Sequence, residues 1–387
     1  MVHPPRCEAG AAPSGVPEFR EVQLLTGVGP NISPVMALVD FADGDSRADL
    51  ILGSSLSYGN DVPAPLLMTV LTGDASGGLQ NPVGPYEFDS AAPLTPIDFD
   101  DDGHTDFAGP GRQIARDAVR SEFADVVRPQ TPPNAQHYWG DVNNDGRMDY
   151  VAVGASTVDV GLGDGDAGFQ PTIRNLIAIP FLMEGTLVDV NADGNPDLVG
   201  IRFMRDSEVS TTGGSVVEVL RGDGAGRFVI DRAEDFQASI VRMRVGDFNC
   251  DSWKDLVLGY GDGRVVVRSG SAEGWLAGDS GVVLFDRPVN AAAQAVDALV
   301  ADVNGDGAHD VVSVVRAQSE SGAHDVRLAI HVGDGSGLFA EPAVLQPTVK
   351  PMLPFLLGAG DLDGDRRDEV IAIDPTIDLV VTLWDSQ

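Results

Sequence analysis

Apolar residues along this chain fall in short β-branched runs, VAVG, VDVGLG, RVVVRSG, RLAIHVG and LVVTLW among them, each bounded by Gly, Asp or Pro. Bounded runs of that length are strand signals. Helix-period patterns are hard to find between the 46 glycines and 25 prolines that punctuate the 387 residues, so the pattern predicts an all-β fold. No apolar run approaches the roughly 18 residues needed to cross a bilayer. With 43% hydrophobic residues the chain can bury a sizeable core, and the expectation is a soluble globular protein that does not span a membrane.

The polar positions between the runs are as regular as the runs. DVNNDGRMD, from Asp141 to Asp149, places side-chain oxygens at positions one, three, five and nine and glycine at six. The spacing returns in DFDDDGHTD (Asp98, Asp100, Asp102, Asp106), in DVNNDGRMD (Asp141, Asn143, Asp145, Asp149) and in DVNADGNPD (Asp189, Asn191, Asp193, Asp197). It returns again in DFNCDSWKD (Asp247, Asn249, Asp251, Asp255), DVNGDGAHD (Asp302, Asn304, Asp306, Asp310) and DLDGDRRDE (Asp361, Asp363, Asp365, Glu369). A looser copy, DFADGDSRAD from Asp40, carries one extra residue before Asp43 and offers Asp43, Asp45 and Asp49. The starts run from Asp40 to Asp361 at an average interval of about 54 residues, the scale of propellers and solenoids.

Oxygens at alternate positions of a turning loop converge on one point, and a hard divalent cation takes six to eight oxygens at roughly 2.3 to 2.6 Å. Calcium fits best. Glycine at six permits the sharp turn, the seventh residue can offer its backbone carbonyl, and the ninth-position carboxylate closes the cage. An EF-hand would need a Glu at position twelve and flanking helices. Position twelve after Asp141 is Ala152 and the flanks are strand-like, so each loop reads as strand-loop-strand. A single copy could be an ordinary Asp/Asn/Gly turn; seven spaced copies argue against that. Four loops are complete, whereas Ser252 and Arg366 replace the glycine in two others and the extra residue loosens the copy at Asp40. These three are expected to bind weakly or stay empty.

A second element comes after several loops: GDGDAGF from Gly163, GDGAGRF from Gly222 and GDGSGLF from Gly333, with degenerate forms at Gly73 and Gly270. Lying between β runs, it reads as a hairpin turn whose last residue anchors the next strand. The GxGxxG inside the first copy precedes no helix and is not a dinucleotide site. The RGD at Arg221 overlaps the same turn and reads as coincidence.

The two elements together resemble the FG-GAP/VCBS-type repeat of the integrin α-subunit propeller and of secreted bacterial proteins, over about Phe19 to Gln387. The resemblance implies four-stranded blades whose cation loops join the first strand to the second, with calcium at positions one, three, five and nine. Seven loops imply a seven-bladed β-propeller over residues 17–387, after an N-terminal tail, 1–16, that is disordered or processed. GVPEFREVQLL resembles the segments just after the glycine turns, such as GLFAEPAVL, so Phe19 to Leu25 is expected to complete the last blade and close the ring.

The formal charge of −34 excludes a nucleic-acid partner, because phosphate binding needs Lys and Arg clusters. Part of that surplus is local, since 26 of the 59 acidic residues fall inside the seven loops. The N-terminus has no apolar core, as a chain whose secretory leader is missing would read. The resemblance implies a secreted or cell-surface location. Cys7 and Cys250 allow at most one disulfide, and a count this low suits two unrelated thiols.

Function should concentrate in connections away from the cation loops. The longest are Ser54 to Pro65, Arg205 to Gly214 and Gln318 to Asp325; just before the inner strands are expected His137, Tyr138, Trp139, Glu184, Arg242 and Arg244. Tyr138 or Trp139 either wedges between blades or touches a ligand. The first functional reading is a non-catalytic, monomeric binding or adhesion module for an extracellular glycan or protein. The four tryptophans, Trp139, Trp253, Trp275 and Trp384, occupy non-equivalent places, which weakens a multivalent lectin. The alternative is a polysaccharide lyase using His137, Tyr138, Arg242 and Arg244. No catalytic-zinc spacing and no nucleophile elbow accompanies them. A structural role within a surface assembly is the third reading.

Overall fold

A computed structural model describes residues 19–25, 35–39, 47–55, 66–76, 78–80, 83–88, 95–99, 106–109, 112–117, 122–125, 135–165, 168–177, 179, 182–203, 214–271, 281–285, 294–318, 324–345, 356–374 and 380–386. Among them every regular element is a strand. The all-β expectation holds. The chain forms two compact units, a larger one of residues 1–91 with 241–387 and a smaller one of 92–240.

In chain order, β1 (Phe19–Leu25) is followed by β2 (Val35–Val39), β3 (Asp49–Ser55), β4 (Leu66–Leu71) and β5 (Val83–Phe88). The smaller unit holds three sheets. They are β6 (Thr95–Ile97) to β9 (Glu122–Asp125) through β7 (Asp106–Gly109) and β8 (Arg112–Asp117); β10 (Gln136–Gly140), β11 (Asp149–Val153), β12 (Val158–Gly161), β13 (Ile173–Asn175); and β14 (Glu184–Val188), β15 (Asp197–Phe203), β16 (Ser215–Gly222), β17 (Phe228–Phe236). The larger unit continues with β18 (Ile240–Gly246), β19 (Asp255–Tyr260), β20 (Val265–Arg268), β21 (Val282–Phe285), then β22 (Gln294–Ala301), β23 (Asp310–Gln318), β24 (His324–His331), β25 (Ala343–Leu345). Its last strands are β26 (Leu356–Gly360), β27 (Glu369–Asp374) and β28 (Val380–Ser386).

Each consecutive foursome is one antiparallel sheet, and β1 pairs with β28, giving the order β1-β28-β27-β26. Every acidic loop joins the first strand of a sheet to the second, as the resemblance implies.

Burial explains why the strands read as continuous apolar runs. Second strands such as β11 and β19 are buried at every position; for β11, sheets of the same unit pack on both faces. Fourth strands alternate, β13 and β25 showing an exposed residue between two half-buried ones. In the smaller unit Val151, Val153 and Val160 of one sheet pack against Leu182, Leu198, Leu220 and Phe228 of the next. In the larger unit Val312, Val314 and Ile330 meet Leu357, Val370 and Ala372 likewise. Each such buried side chain contributes roughly 1.5–3 kcal/mol, so the core lies between successive sheets of each unit.

Candidate functional site

Five acidic loops are described throughout, and they share one backbone. Position four is left-handed in all of them, at Asn144 (φ 58°), Ala192 (56°), Cys250 (56°), Gly305 (71°) and Gly364 (85°). Position six is left-handed too, at Gly146 (85°), Gly194 (87°), Ser252 (73°), Gly307 (82°) and Arg366 (75°). Only glycine reaches that region without steric cost. Ser252 and Arg366 therefore adopt the glycine conformation and hold their loops in the shape of the complete ones.

That shape turns the loop's amides toward its acids. The Gly146 N–H donates to Asp141 Oδ2 at 2.8 Å and the Asp145 N–H to Asp141 Oδ1 at 3.1 Å. The loops at Asp189 and Asp302 repeat both bonds. At the departing positions the Ser252 N–H reaches Asp247 Oδ2 and the Arg366 N–H reaches Asp361 Oδ2.

The ninth-position carboxylate is buried in all seven loops. Asp49, Asp106, Asp149, Asp197, Asp255, Asp310 and Glu369 are all at most 1% exposed. Asp149 Oδ2 accepts the Val142 N–H at 2.9 Å, and its Oδ1 accepts the Gly163 N–H at 2.7 Å. Asp197 does the same with Val190 and Gly222, Asp255 with Phe248 and Gly270, and Asp310 with Val303 and Gly333. One carboxylate thus ties the end of strand one, the start of strand two and the turn between strands three and four.

The same contact explains the first glycine of the second motif. A Cβ on Gly163 would lie 2.4 Å from the Met148 carbonyl oxygen, on Gly222 2.2 Å from that of Pro196, and on Gly333 2.3 Å from that of His309. No side chain fits there. The hairpin reading of the motif stands, but the glycine's main work is to bring an N–H against the ninth carboxylate.

Burial, aided by neighbouring carboxylates of the same loop and opposed by the two N–H donors, raises Asp149, Asp197 and Asp255 to about 6. Asp310 is raised well above the ordinary range by burial, and Glu369 to about 8 by burial and then by Asp363, Asp361 and Asp365. Two buried oxygens, Asp247 Oδ1 and Glu369 Oε1, have no hydrogen-bond partner among the described residues. Among the described residues Asp361, Asp363 and Glu369 form a group whose ligating oxygens lie within 4.8 Å of one another. Crowded, buried, partly orphaned carboxylates suit a hard cation, which would reverse the local electrostatics. Asp43, Asp45, Asp100 and Asp102 lie outside the described residues, as do the 1–16 tail and most of the three long connections; Asp98 is half-buried at its loop's start.

The other candidates divide between the units. In the smaller one, Trp139 is half-buried and packs edge-on against Phe99 and Tyr150, with Phe169 beside it. His137 stacks alongside Trp139. Tyr138 lies against Gly185 of β14, where a Cβ would come within 2.9 Å of the ring, and burial followed by the charge of Glu184 raises its phenol. Both large rings pack within the unit, Trp139 among aromatic rings and Tyr138 against β14. In the larger unit, Arg242 Nε and Arg244 Nη2 both donate to Asp297 Oδ1, at 3.3 and 3.2 Å. Sequence reasoning misses Asp297, although a lone acid inside the run QAVDALVA is its signal. Cys250 is disulfide-bonded, contrary to the two-thiol expectation; Cys7, the chain's other cysteine, lies outside the described residues.

Fold and loops define an all-β repeat protein whose sheets are pinned by buried carboxylates. Residues 141–200 and 302–372 match the FG-GAP-like repeat, so the chain carries FG-GAP repeats. Among solved structures it resembles an Agrocybe aegerita lectin, described for specific recognition of non-reducing terminal N-acetylglucosamine, at 17% identity over 84% of this chain and 81% of that one, TM-score 0.52. It also resembles BBS1N, solved with ARL6DN in a mercury-soaked crystal, at 10% identity over 95% and 97%, TM-score 0.55. Both are β-propellers, and the chain has that fold. No curated protein sequence matches it. No helix among the described residues is long and apolar enough to cross a membrane.

Proposed function

We propose that the chain is a calcium-stabilised, seven-bladed propeller, closed by β1 on β28, that serves as a secreted or cell-surface binding module for a glycan or protein. The observation that carries the metal assignment is the ninth-position carboxylate, buried among the other acids of its loop in every described repeat. Uncompensated, such a cluster opposes folding; a divalent ion removes the conflict. Positions one, three, five and nine would hold it, and its role would be structural. The seven four-stranded sheets and the β1–β28 pairing support the blade count and the closure. The Cys250 disulfide supports an oxidising compartment. A scaffold shared with a lectin makes sugars the first ligands to try, as analogy of fold and no more.

The test is a glycan-array screen run with calcium and with chelator, beside metal analysis of the purified protein. Several calcium ions per chain and calcium-dependent binding without turnover are expected. A protein that carries no calcium after dialysis against millimolar Ca²⁺ removes the metal reading. Turnover of a uronate polymer, seen as new ultraviolet absorbance, removes the non-catalytic one.

A further inference from the structure

We infer that Asp368, which stands in the Asp361 loop, is a positioning residue for the cation site of the preceding loop at Asp302, and that the two loops take up calcium cooperatively. This rests on the metal reading of the loops and adds a link between sites that the repeat pattern leaves separate. Position eight of a loop lies between the position-seven carbonyl and the position-nine carboxylate, so a contact made there is felt by the cage to which it belongs. Asp368 holds that place in the Asp361 loop.

Its Oδ2 accepts the Asp302 N–H at 2.9 Å, and its own N–H donates to the Asp302 carbonyl at 2.8 Å. Both backbone groups of the first ligand residue of one cage are thus fixed by a single residue of the next. Asp302 in turn accepts the Asp306 and Gly307 N–H groups on its two side-chain oxygens, so the clamp on its backbone sets where the first ligand sits in its own loop. Outer partners of this kind orient metal ligands and tune their affinity. The loops also touch at position four. A Cβ on Gly305 would lie 3.0 Å from Arg367 Cγ and 3.3 Å from the Arg366 carbonyl oxygen, so the turn of one loop rests on positions six and seven of the other.

The backward reach from position eight to position one recurs at two further junctions of the larger unit: the Asp247 N–H donates to His309 Nδ1 at 3.1 Å, and the Ala48 N–H to the Asp361 carbonyl at 2.8 Å. In the smaller unit position eight of the Asp189 loop is Pro196, which has no N–H, and the exposed Asn144 side chain bridges to the Gly194 carbonyl instead. At Asp368 the contact runs in both directions and brings a carboxylate. Burial first, then the charges of Asp306 and Asp368, raise Asp302 to about 6. A cation at Asp302 relieves that repulsion, so an acid supplied by the neighbouring loop adds to its affinity. An ion also orders its loop, and a second loop bonded to the ordered one has less freedom left to lose when its own ion binds.

The experiment titrates calcium into the whole, chelator-stripped protein carrying isotope-labelled glycine and arginine, and follows three backbone N–H resonances. Gly307 and Arg366 each donate to the first aspartate of their own loop and report on the Asp302 and Asp361 sites; Gly194 does the same for Asp189 in the smaller unit. Glu369→Gln, which weakens the ion of its own loop, should lower the affinity read at Gly307 about fivefold and leave Gly194 unchanged. Asp310→Asn should lower the affinity read at Arg366 by a similar factor, because coupling is reciprocal. Asp368→Ala should lower the affinity read at Gly307 about tenfold and erase the effect of Glu369→Gln there. Asp368→Asn, which keeps an acceptor for the Asp302 N–H and loses the charge, should fall between Asp368→Ala and the unaltered protein. Changes that each stay confined to their own loop overturn the inference. So does an Asp368→Ala loss larger at Arg366 than at Gly307, which would make Asp368 a residue of its own loop alone. If neither resonance responds to calcium, the metal reading falls as well; if both respond independently, that reading stands and only this inference falls.

Discussion

The loops at Asp302 and Asp361 stand in one unit and share one backbone, yet close differently. In the first, glycines fill both left-handed positions and Asp310 spends its two oxygens on the Val303 and Gly333 N–H groups, each at 2.8 Å. In the second, Arg366 is forced to φ 75° and the longer Glu369 gives one oxygen to the Leu362 N–H at 2.6 Å. Its other oxygen has no hydrogen-bond partner among the described residues, and Asp361, Asp363 and Glu369 each bring one carboxylate oxygen within 4.8 Å of the others. The departures from the repeat pattern, expected to weaken this loop, thus leave a more exclusively acidic cage. A motif can lose its preferred residues and keep the geometry, provided the surrounding sheet holds the backbone in place.

The largest test of that comparison is removal of the metal. A calcium ion bound only to the folded state at a hundred times its dissociation constant adds roughly 2.7 kcal/mol per site. Chelation should therefore lower the melting temperature by well over ten degrees, and Glu369→Gln should remove part of the calcium-dependent gain. A melting curve that is the same in millimolar calcium and in chelator would end the account of the loops as cation sites.

Next in size is the pin between loop and turn. Gly333→Ala puts a Cβ 2.3 Å from the His309 carbonyl oxygen and displaces the N–H that Asp310 accepts. A cost on the order of 3 kcal/mol is expected, from overpacking plus a buried acceptor left short. Urea unfolding measures it. A cost below about 1 kcal/mol would show that the turn is not held as described.

That pin is only half legible in the chain. Regular loop spacing and bounded apolar runs suffice to read seven acidic loops between strands, because both are local patterns. The partner of each ninth carboxylate is not local: it stands 14 residues on at Gly163, 15 at Gly270, 23 at Gly333 and 25 at Gly222. The variable length of strands two and three hides the pairing. Position four is hidden for another reason, since Asn144, Ala192, Cys250, Gly305 and Gly364 share a conformation without sharing chemistry. Asp297 is hidden because its partners come from three separate sheets.

Acidity separates the two loops in a different way. Carboxylates whose folded pKa is raised bind protons more tightly folded than unfolded, so the metal-free protein loses stability as pH rises from about 4 through the folded values. For Asp149, Asp197, Asp255 and Asp302 that loss runs through about pH 6, and for Glu369 through about 8. Each titrating group contributes roughly 1.4 kcal/mol per pH unit within its window. In chelator, stability should fall from pH 5 to 8, and Glu369→Gln should flatten the limb between 6 and 8. Saturating calcium should abolish or invert the slope, because the ion takes the protons' place. A chelated protein equally stable at pH 5 and 8 would contradict the burial of these acids.

The smallest effect falls on the backbone itself. Arg366 holds a left-handed conformation that costs a non-glycine residue about 1–2 kcal/mol. Arg366→Gly relieves that strain but gives the unfolded chain more freedom, which takes back about 0.4–1 kcal/mol. The expected net is a gain of at most about 1.6 kcal/mol, the same in calcium and in chelator, because the Arg366 N–H already bonds Asp361 Oδ2 and a glycine N–H would keep that bond. The reverse change, Gly307→Arg in the Asp302 loop, should cost a similar small amount and leave calcium affinity within a few-fold. If it abolished calcium binding there, glycine at six would be a requirement of the site and the shared backbone of the two loops would not be enough to hold the ion.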